Sequence, residues 1–94
     1  MPLFVYRGQD GPNGAELRKT VRERHLAHLQ PLADAGRIRF AGPLLDERDA
    51  PCGSLVVFEA DDLTAAREIA ENDPYLVEGV FESVDVRGTR GVLP

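Results

Sequence analysis

Two short runs of this sequence, LFVYR at residues 3–7 and SLVVFEA at residues 54–60, are apolar at consecutive positions rather than at alternate ones. Side chains of a strand point alternately to its two faces, so each run predicts a strand that is covered on both sides, as in the middle of a sheet. Two further strands are predicted at RIRFAG (37–42), where the charged residues lie on one face only, and at VFESVDV (80–86), where charged residues interrupt the apolar pattern. This pattern is typical of edge strands.

The segment after the first strand predicts a long helix. Asn13 followed by Glu16 has the spacing of a capping box, and the helical pattern continues to Ala35, with Gly36 in the position that commonly ends a helix. Pro31 lacks an N–H group and its ring clashes with the preceding turn. A helix with a break near residue 30 is therefore predicted.

A second helix is predicted to begin at a cap formed by Asp61 or Asp62 and to run to about Glu71, after which Asn72 can take a left-handed, helix-ending conformation. The element order is then β-α-β-β-α-β. This is the pattern of ferredoxin-like folds, in which an antiparallel four-stranded sheet carries both helices on one face and the first and third strands are central. An α+β fold in a single domain, residues 1–94, is predicted.

The second face of such a sheet carries no helix, although the central strands are apolar on both sides. Soluble monomers seldom expose a large apolar patch, so a homodimer that pairs the two open faces is expected. The homodimer is thus predicted from the polarity of the strands alone.

Charge and composition narrow the other partners. The formal net charge of −5 argues against a surface for nucleic acid or anionic membranes. No basic leader is present and no apolar run approaches the length of a membrane span, so a cytoplasmic protein is expected. Cys52 is the single cysteine, and no metal-ligand spacing or cofactor motif is found, so neither a metal nor a cofactor is expected. Small molecules remain as candidate ligands.

His25 lies at the centre of the apolar stripe of the first predicted helix. Val21 and Leu29 flank it one turn away on either side. A buried imidazole must be hydrogen-bonded or must line a cavity, because an unpaired one carries a desolvation cost. A packed core histidine and a functional histidine both fit this position. Arg22 lies beside the stripe, on a pocket wall or a solvated ridge, whereas His28 lies at its margin, where the ring can reach water.

Asp73, in the stretch ENDPYLVEGVFE (71–82), also has two interpretations. Asp is a preferred helix cap and Pro74 a preferred first helical residue, so Asp73 can start a short turn over Tyr75 to Glu78 that Gly79 closes. Alternatively, Asp73 orients a histidine and stabilises its protonated form, leaving the other ring nitrogen to move protons. The two residues are far apart in sequence, so spacing cannot show contact.

A set of short motifs resembles the YCII family (YciI-like proteins) across nearly the whole chain. The motifs are R-x-x-H-L at Arg22–Leu26, G-x-x-x-x-A-G-P at Gly36–Pro43, Gly53 with Ser54, and N-D-P-Y at Asn72–Tyr75. The resemblance implies a dimeric α+β-barrel form of the ferredoxin-like fold. It also implies that His25 and Asp73 are the proposed catalytic pair, and a dehydrochlorinase-like lyase acting on hydroxylated aromatics is among the activities associated with the family.

The residues and the resemblance together predict a small, cofactor-independent acid/base enzyme, a lyase or isomerase acting on a small cyclic or aromatic metabolite. His25 would transfer the proton and Asp73 would hold its tautomer. The residues expected to contact the substrate are Arg22, Ser54, Tyr75 and Tyr6. The alternative is a non-catalytic dimeric module that binds a small ligand or another protein, with His25 packed in the core and Asp73 serving as a cap.

Overall fold

The computed structural model describes all 94 residues. The elements are β1 Leu3–Asp10, α1 Gly14–Asp34, β2 Ile38–Leu45, β3 Pro51–Glu59, α2 Leu63–Glu71, α3 Pro74–Val77 and β4 Phe81–Thr89. The strands form one antiparallel sheet in the order β2-β3-β1-β4, so the two strands with continuous apolar runs are central. The α+β, ferredoxin-like fold class is confirmed. None of the helices combines the length and the apolar character that a membrane crossing requires.

β1 and β3 are longer than predicted, and the added part of each strand contains a glycine that the sheet requires. A Cβ atom on Gly8 would lie 2.4 Å from the ring of Phe81, and one on Gly53 would lie 2.6 Å from the carbonyl oxygen of Gly8. Close approach therefore explains these glycines, and β1 continues past Gly8 to Asp10. The exposed thiol of Cys52 lies in β3.

The predicted break and capping box of α1 are both wrong. The helix continues through Pro31 to Asp34, and the side chain of Asn13 makes no capping bond. Pro31 lies in the last turns on an exposed face, so the carbonyl of Ala27, which loses its helical partner, is open to water. The predicted glycine terminus is confirmed, because Gly36 has a φ of 71°.

Both ends of α2 are formed by side chains that accept or donate locally. The carboxylate of Asp62 accepts the N–H of Ala65 at 2.8 Å, which confirms the predicted cap. The predicted left-handed Asn72 is wrong, because its φ is −94° and its side chain donates to the carbonyl of Glu68. The chain passes directly into Asp73, whose extended conformation begins α3, and a left-handed residue is not needed to turn it.

The helices cover one face of the sheet, and this face contains the core. Alternate residues of the central strands point into it, and the helices contribute small and aliphatic side chains. The largest apolar members that are fully buried are Tyr6, Phe58, Val21, Val56 and Val80. The opposite face, here called the open sheet face, carries the half-buried or exposed apolar side chains of Val5, Phe40, Leu44, Leu55 and Val57. Charged residues lie beside them on this face, because Arg7 pairs with Leu55 and Arg87 pairs with Val5. The sheet therefore has one covered face and one uncovered face with an apolar centre.

Candidate active site

His25 and Asp73 meet although 48 positions separate them. The ring nitrogen Nδ1 of His25 lies 2.8 Å from Oδ1 and 2.9 Å from Oδ2 of Asp73. An ionised carboxylate can only accept, so Nδ1 carries the proton and donates it to Asp73. Nε2 makes no hydrogen bond within the chain, and no buried side-chain nitrogen lacks a partner, so Nε2 is open to solvent. In the neutral form of the ring, Nε2 is therefore a bare acceptor nitrogen at the edge of the core.

Asp73 is a helix cap and the partner of His25 at once. Its Oδ1 accepts the backbone N–H of Tyr75 at 2.9 Å, which caps α3, and its Oδ2 accepts the hydroxyl of Tyr6 at 2.5 Å. The side chain is fully buried. Burial by itself raises the pKa of a carboxyl, but the hydrogen bonds from His25, Tyr6 and the Tyr75 backbone outweigh it, and the pKa of Asp73 is lowered. The buried group is therefore a carboxylate at neutral pH.

Tyr6 lies behind this pair rather than beside a ligand. Its side chain is completely buried and does not line the neighbouring cavity, although the sequence led us to expect a substrate contact. Burial and the charge of Asp73 raise the pKa of Tyr6 well above its ordinary value. The phenol consequently stays neutral and remains a hydrogen-bond donor to Asp73.

Tyr75 fixes the plane of the imidazole. The two rings are stacked, with centroids 3.8 Å apart and an angle of 3° between the planes. The guanidinium of Arg18 lies 4.9 Å from the centroid of Tyr75. Arg18 and His25 are seven residues, or about two turns, apart on α1, which is a spacing that can hold the ring of Tyr75 between them. Stacking and the bond to Asp73 together hold the ring of His25 in one orientation.

Burial raises the pKa of the Tyr75 phenol, while the positive charges of Arg18 and Arg22 lower it. The charge of Asp73 acts in the same direction as burial, and the net result is a raised pKa. The hydroxyl of Tyr75 therefore keeps its proton at neutral pH and can donate a hydrogen bond.

Arg18 and Asp10 form a partly buried ion pair that was not predicted from the sequence. Arg18 donates to both carboxylate oxygens of Asp10, at 2.7 and 2.9 Å, to the carbonyl of Gly53 at 2.8 Å and to Oγ of Ser54 at 3.1 Å. Burial disfavours the charged guanidinium, but Asp10 outweighs this effect and raises the pKa of Arg18. The two-turn spacing between Arg18 and His25 was the signal in the sequence that places them on one helix face.

A cavity of about 460 Å³ lies between α1, β2 and the start of β3. Its polar wall is formed by Arg18, Lys19, Arg22, His25, Ser54 and Tyr75. Its apolar wall includes Leu26, Leu29, Ala41, Pro43 and Pro51. Four of the predicted site residues thus line one cavity, while Asp73 and Tyr6 support it from behind. The size, the mixed lining and the bare Nε2 are those of a site for a small molecule.

His28, the other histidine, belongs to the packing of the helices. Its Nε2 lies 2.7 Å from the carbonyl oxygen of Ile69 in α2, and the ring does not line the cavity. No cluster of three or more His, Cys, Asp or Glu side chains is arranged to bind a metal ion.

We expect Tyr6→Phe to lower the free energy of unfolding by about 1.5–3 kcal/mol, because a buried carboxylate loses a hydroxyl donor without a change in shape. The lowered pKa of Asp73 means that its stabilisation is complete above the ordinary carboxyl range and is lost as the pH falls through the folded-state value. Removal of a donor raises that value, so acid unfolding should begin at a higher pH. Urea denaturation between pH 3 and 7 measures both effects.

The matched control is Tyr75→Phe, which removes a hydroxyl that does not bond to Asp73 and keeps the backbone N–H that does. This variant should leave the acid limb of the stability curve where it is in the wild type. An equal acid shift in the two variants would contradict the assigned role of Tyr6.

Residues 2–90 match the family model of the YCII-related domain, and this range contains every strand and helix of the fold. Protein YciI of Escherichia coli O6:H1 is 42% identical over 97 residues, which cover 97% of this chain and 99% of YciI. An uncharacterized protein of Haemophilus influenzae is 39% identical over 96% of this chain and 98% of its own length.

Solved structures share the architecture. The 5-chloro-2-hydroxyhydroquinone dehydrochlorinase TftG of Burkholderia phenoliruptrix AC1100, in complex with 2,5-dihydroxybenzoquinone, is similar with a TM-score of 0.81 and 28% identity over 94% of this chain and 93% of TftG. An antibiotic biosynthesis monooxygenase is similar with a TM-score of 0.56 and 12% identity over 99% of this chain and its full length, which shows the fold alone. The family match over residues 2–90 and the 42% identity to YciI show that this chain belongs to the YCII family.

Proposed function

We propose that this chain is a small enzyme that moves protons on a compact hydroxylated ring, in the manner of a dehydrochlorinase or related lyase. The observation that carries the proposal is the bare Nε2 of His25 at the cavity, with Nδ1 bound to the buried carboxylate of Asp73. A general base needs a free lone pair within reach of the substrate, and a fixed tautomer provides it. The likeness to TftG supports this substrate class.

His25 and Asp73 have distinct roles in the proposed reaction. When Nε2 accepts a proton, the imidazole becomes a cation, and the negative charge of Asp73 stabilises it at a distance of 2.8 Å. Asp73 remains ionised throughout and touches no substrate, so it is a positioning residue. The stacked ring of Tyr75 prevents the imidazole from turning away.

A chlorinated hydroxyhydroquinone can lose HCl in two proton-transfer steps. Movement of a proton from a hydroxyl group to the chlorine-bearing carbon gives a keto tautomer in which that carbon is tetrahedral. Removal of a second hydroxyl proton by Nε2 turns the O–H electron pair into a carbonyl bond, shifts the ring double bond and expels chloride with the C–Cl pair. One proton and one chloride leave in total, so the step consumes no oxidant or reductant, and His25 can serve both transfers.

Chloride release from 5-chloro-2-hydroxyhydroquinone, measured under anaerobic conditions, tests the proposal. We expect a rate that saturates with substrate and scales with the concentration of the protein. The alternative is a non-catalytic module, and it predicts that 2,5-dihydroxybenzoquinone binds while no chloride is released above the rate in buffer. That outcome would reject the enzymatic proposal.

We also propose that two copies pair through the open sheet face. The side chains of Val5, Leu55 and Val57 at its centre are apolar and only half-buried, and Phe40 beside them is 52% exposed. Covering such a face removes apolar surface from water, which favours association by about 25 cal/mol for each Å². The relation to the YCII family supports the same arrangement.

Val57→Glu should convert the proposed dimer into a monomer, because it places a charge at the centre of the apolar face. Light scattering coupled to size exclusion should give twice the chain mass of 10.3 kDa for the wild type and a single chain mass for the variant. Thr64→Glu on the exposed side of α2 adds the same charge and should leave the mass at twice that of the chain. A monomeric wild type would refute the dimer.

A further inference from the structure

The cavity wall carries positive charge on a chain that is negative as a whole. The net charge of the chain is −5, yet the charged side chains that line the cavity are Arg18, Lys19 and Arg22, and no Asp or Glu lines it. Charges of one sign on the wall of a low-dielectric cleft concentrate the field inside it. The cavity is thus suited to a ligand of negative charge.

Arg22 is the cation of this wall that has no partner. Arg18 is held by both oxygens of Asp10, and Nζ of Lys19 lies 3.2 Å from Glu16. The guanidinium of Arg22 makes no ion pair with any carboxylate of the chain. Its five N–H donors are available for an anion, and a guanidinium binds two oxygen atoms of one ligand well.

Arg22 is placed to act on the same ligand as His25. The two residues are three positions apart on α1, so their side chains are neighbours on one face of the helix. Both line the cavity. An anion bound by Arg22 would therefore share the cavity with Nε2 of His25.

Ser54 adds a second donor on the facing strand. Its Oγ accepts a hydrogen bond from Arg18 at 3.1 Å, so its own proton is free for another acceptor. The side chain is only 4% exposed and lines the cavity. The polar side chains of the wall are thus donors, with Nε2 of His25 as the acceptor among them. A complementary ligand offers charged oxygen atoms to the donors and one proton to Nε2.

We propose that the substrate is a compact ring that carries an ionised hydroxyl group, and that Arg22 binds the charged oxygen while Ser54 donates to it. The inference takes its site from the proposed function and adds the charge of the substrate and the residue that selects it. Arg22 acts mainly in binding, so its loss should raise KM and the dissociation constant more than it lowers kcat.

Calorimetric binding of two quinones tests the inference without turnover. The probes are 2,5-dihydroxybenzoquinone, which is ionised in neutral water, and its neutral dimethyl ether, 2,5-dimethoxybenzoquinone. A Cys52→Ser background prevents addition of the exposed thiol to either quinone. We expect the parent protein to bind the ionised compound about tenfold more tightly than the neutral one, and Arg22→Gln to lose about tenfold in affinity for the ionised compound only.

Arg67→Gln is the matched control, because it removes one positive charge from the exposed side of α2, away from the cavity. Its affinity for both compounds should equal that of the parent. Equal binding of the two quinones, or equal effects of Arg22→Gln and Arg67→Gln, would overturn the inference.

The outcome separates this inference from the proposed function. Chloride release by the wild type together with binding that does not depend on Arg22 would overturn the inference and leave the reaction standing. Binding that depends on both Arg22 and ligand charge, without chloride release, would support the inference and reject the reaction.

Discussion

Replacement of His25 with glutamine is expected to lower kcat/KM for chloride release from 5-chloro-2-hydroxyhydroquinone by about 10²–10⁴-fold, the range that a general base contributes. The glutamine amide can still donate a hydrogen bond to Asp73, but it has no basic nitrogen to accept a proton from the ring. Most of the loss should fall on kcat, because the cation and the donors of the cavity wall remain. Initial rates of chloride release over a range of substrate concentrations measure the two parameters separately.

His28→Gln is the control for this variant. His28 lies on the same helix, bonds to the carbonyl of Ile69 and does not line the cavity, so the substitution makes the same chemical change outside the site. It should keep kcat/KM within about twofold of the wild type. Similar losses in both variants would show that the histidines serve the fold, and the role of His25 as base would be rejected.

Asp73→Asn is expected to lower kcat by about 100-fold or more while the protein stays folded. Asparagine is as good a helix cap as aspartate, so the bond to the N–H of Tyr75 can persist. The negative charge that stabilises protonated His25 is lost, and the amide N–H₂ can donate to Nδ1 and leave the proton on Nε2. The chloride assay together with urea denaturation measures the two properties side by side.

The exposed cap Asp62 supplies a matched control for Asp73. Asp62→Asn should leave kcat unchanged, and Asp62→Ala should cost about 0.5–2 kcal/mol of stability, as for an ordinary cap. Asp73→Ala should cost about 3–5 kcal/mol, because it leaves His25 and Tyr6 without their buried acceptor. Equal stability losses at the two positions, with full activity in Asp73→Asn, would reduce Asp73 to a cap.

Local patterns in the sequence predict the order of the elements. They do not predict the local structure at positions where it depends on packing between elements. Continuous apolar runs identify the central strands, because period-two alternation fails only where both faces are covered. Glycine is typical of turns, yet Gly8 and Gly53 lie within strands. At both positions a Cβ atom would collide with a neighbouring residue. Pro31 is tolerated near the end of α1 because the carbonyl group that loses its hydrogen bond, that of Ala27, faces water. Neither fact is visible before the strands and helices are assembled.

The candidate site could likewise be predicted only in part from the sequence. Helical periodicity places His25 in the buried stripe of α1, and capping rules place Asp73 at the start of α3. Their contact depends on how α3 packs on α1, so 48 positions of separation conceal it and the resemblance to a family was needed to suggest it. Tyr6 and Asp10 act on partners from distant elements, which no local pattern reveals. One carboxylate can accept several hydrogen bonds, so Asp73 can cap α3 and bind His25 at the same time.

The tautomer of His25 is tested most directly by a long-range ¹H–¹⁵N NMR spectrum of its ring at pH 8.5, where an ordinary histidine is neutral. The signals are assigned by their loss in His25→Gln. We expect a proton on Nδ1 and a bare Nε2, and we expect the Nε2 signal to move when 2,5-dihydroxybenzoquinone is added. A proton on Nε2, unchanged both by that compound and by Asp73→Asn, would contradict the role of His25 as a base held by Asp73.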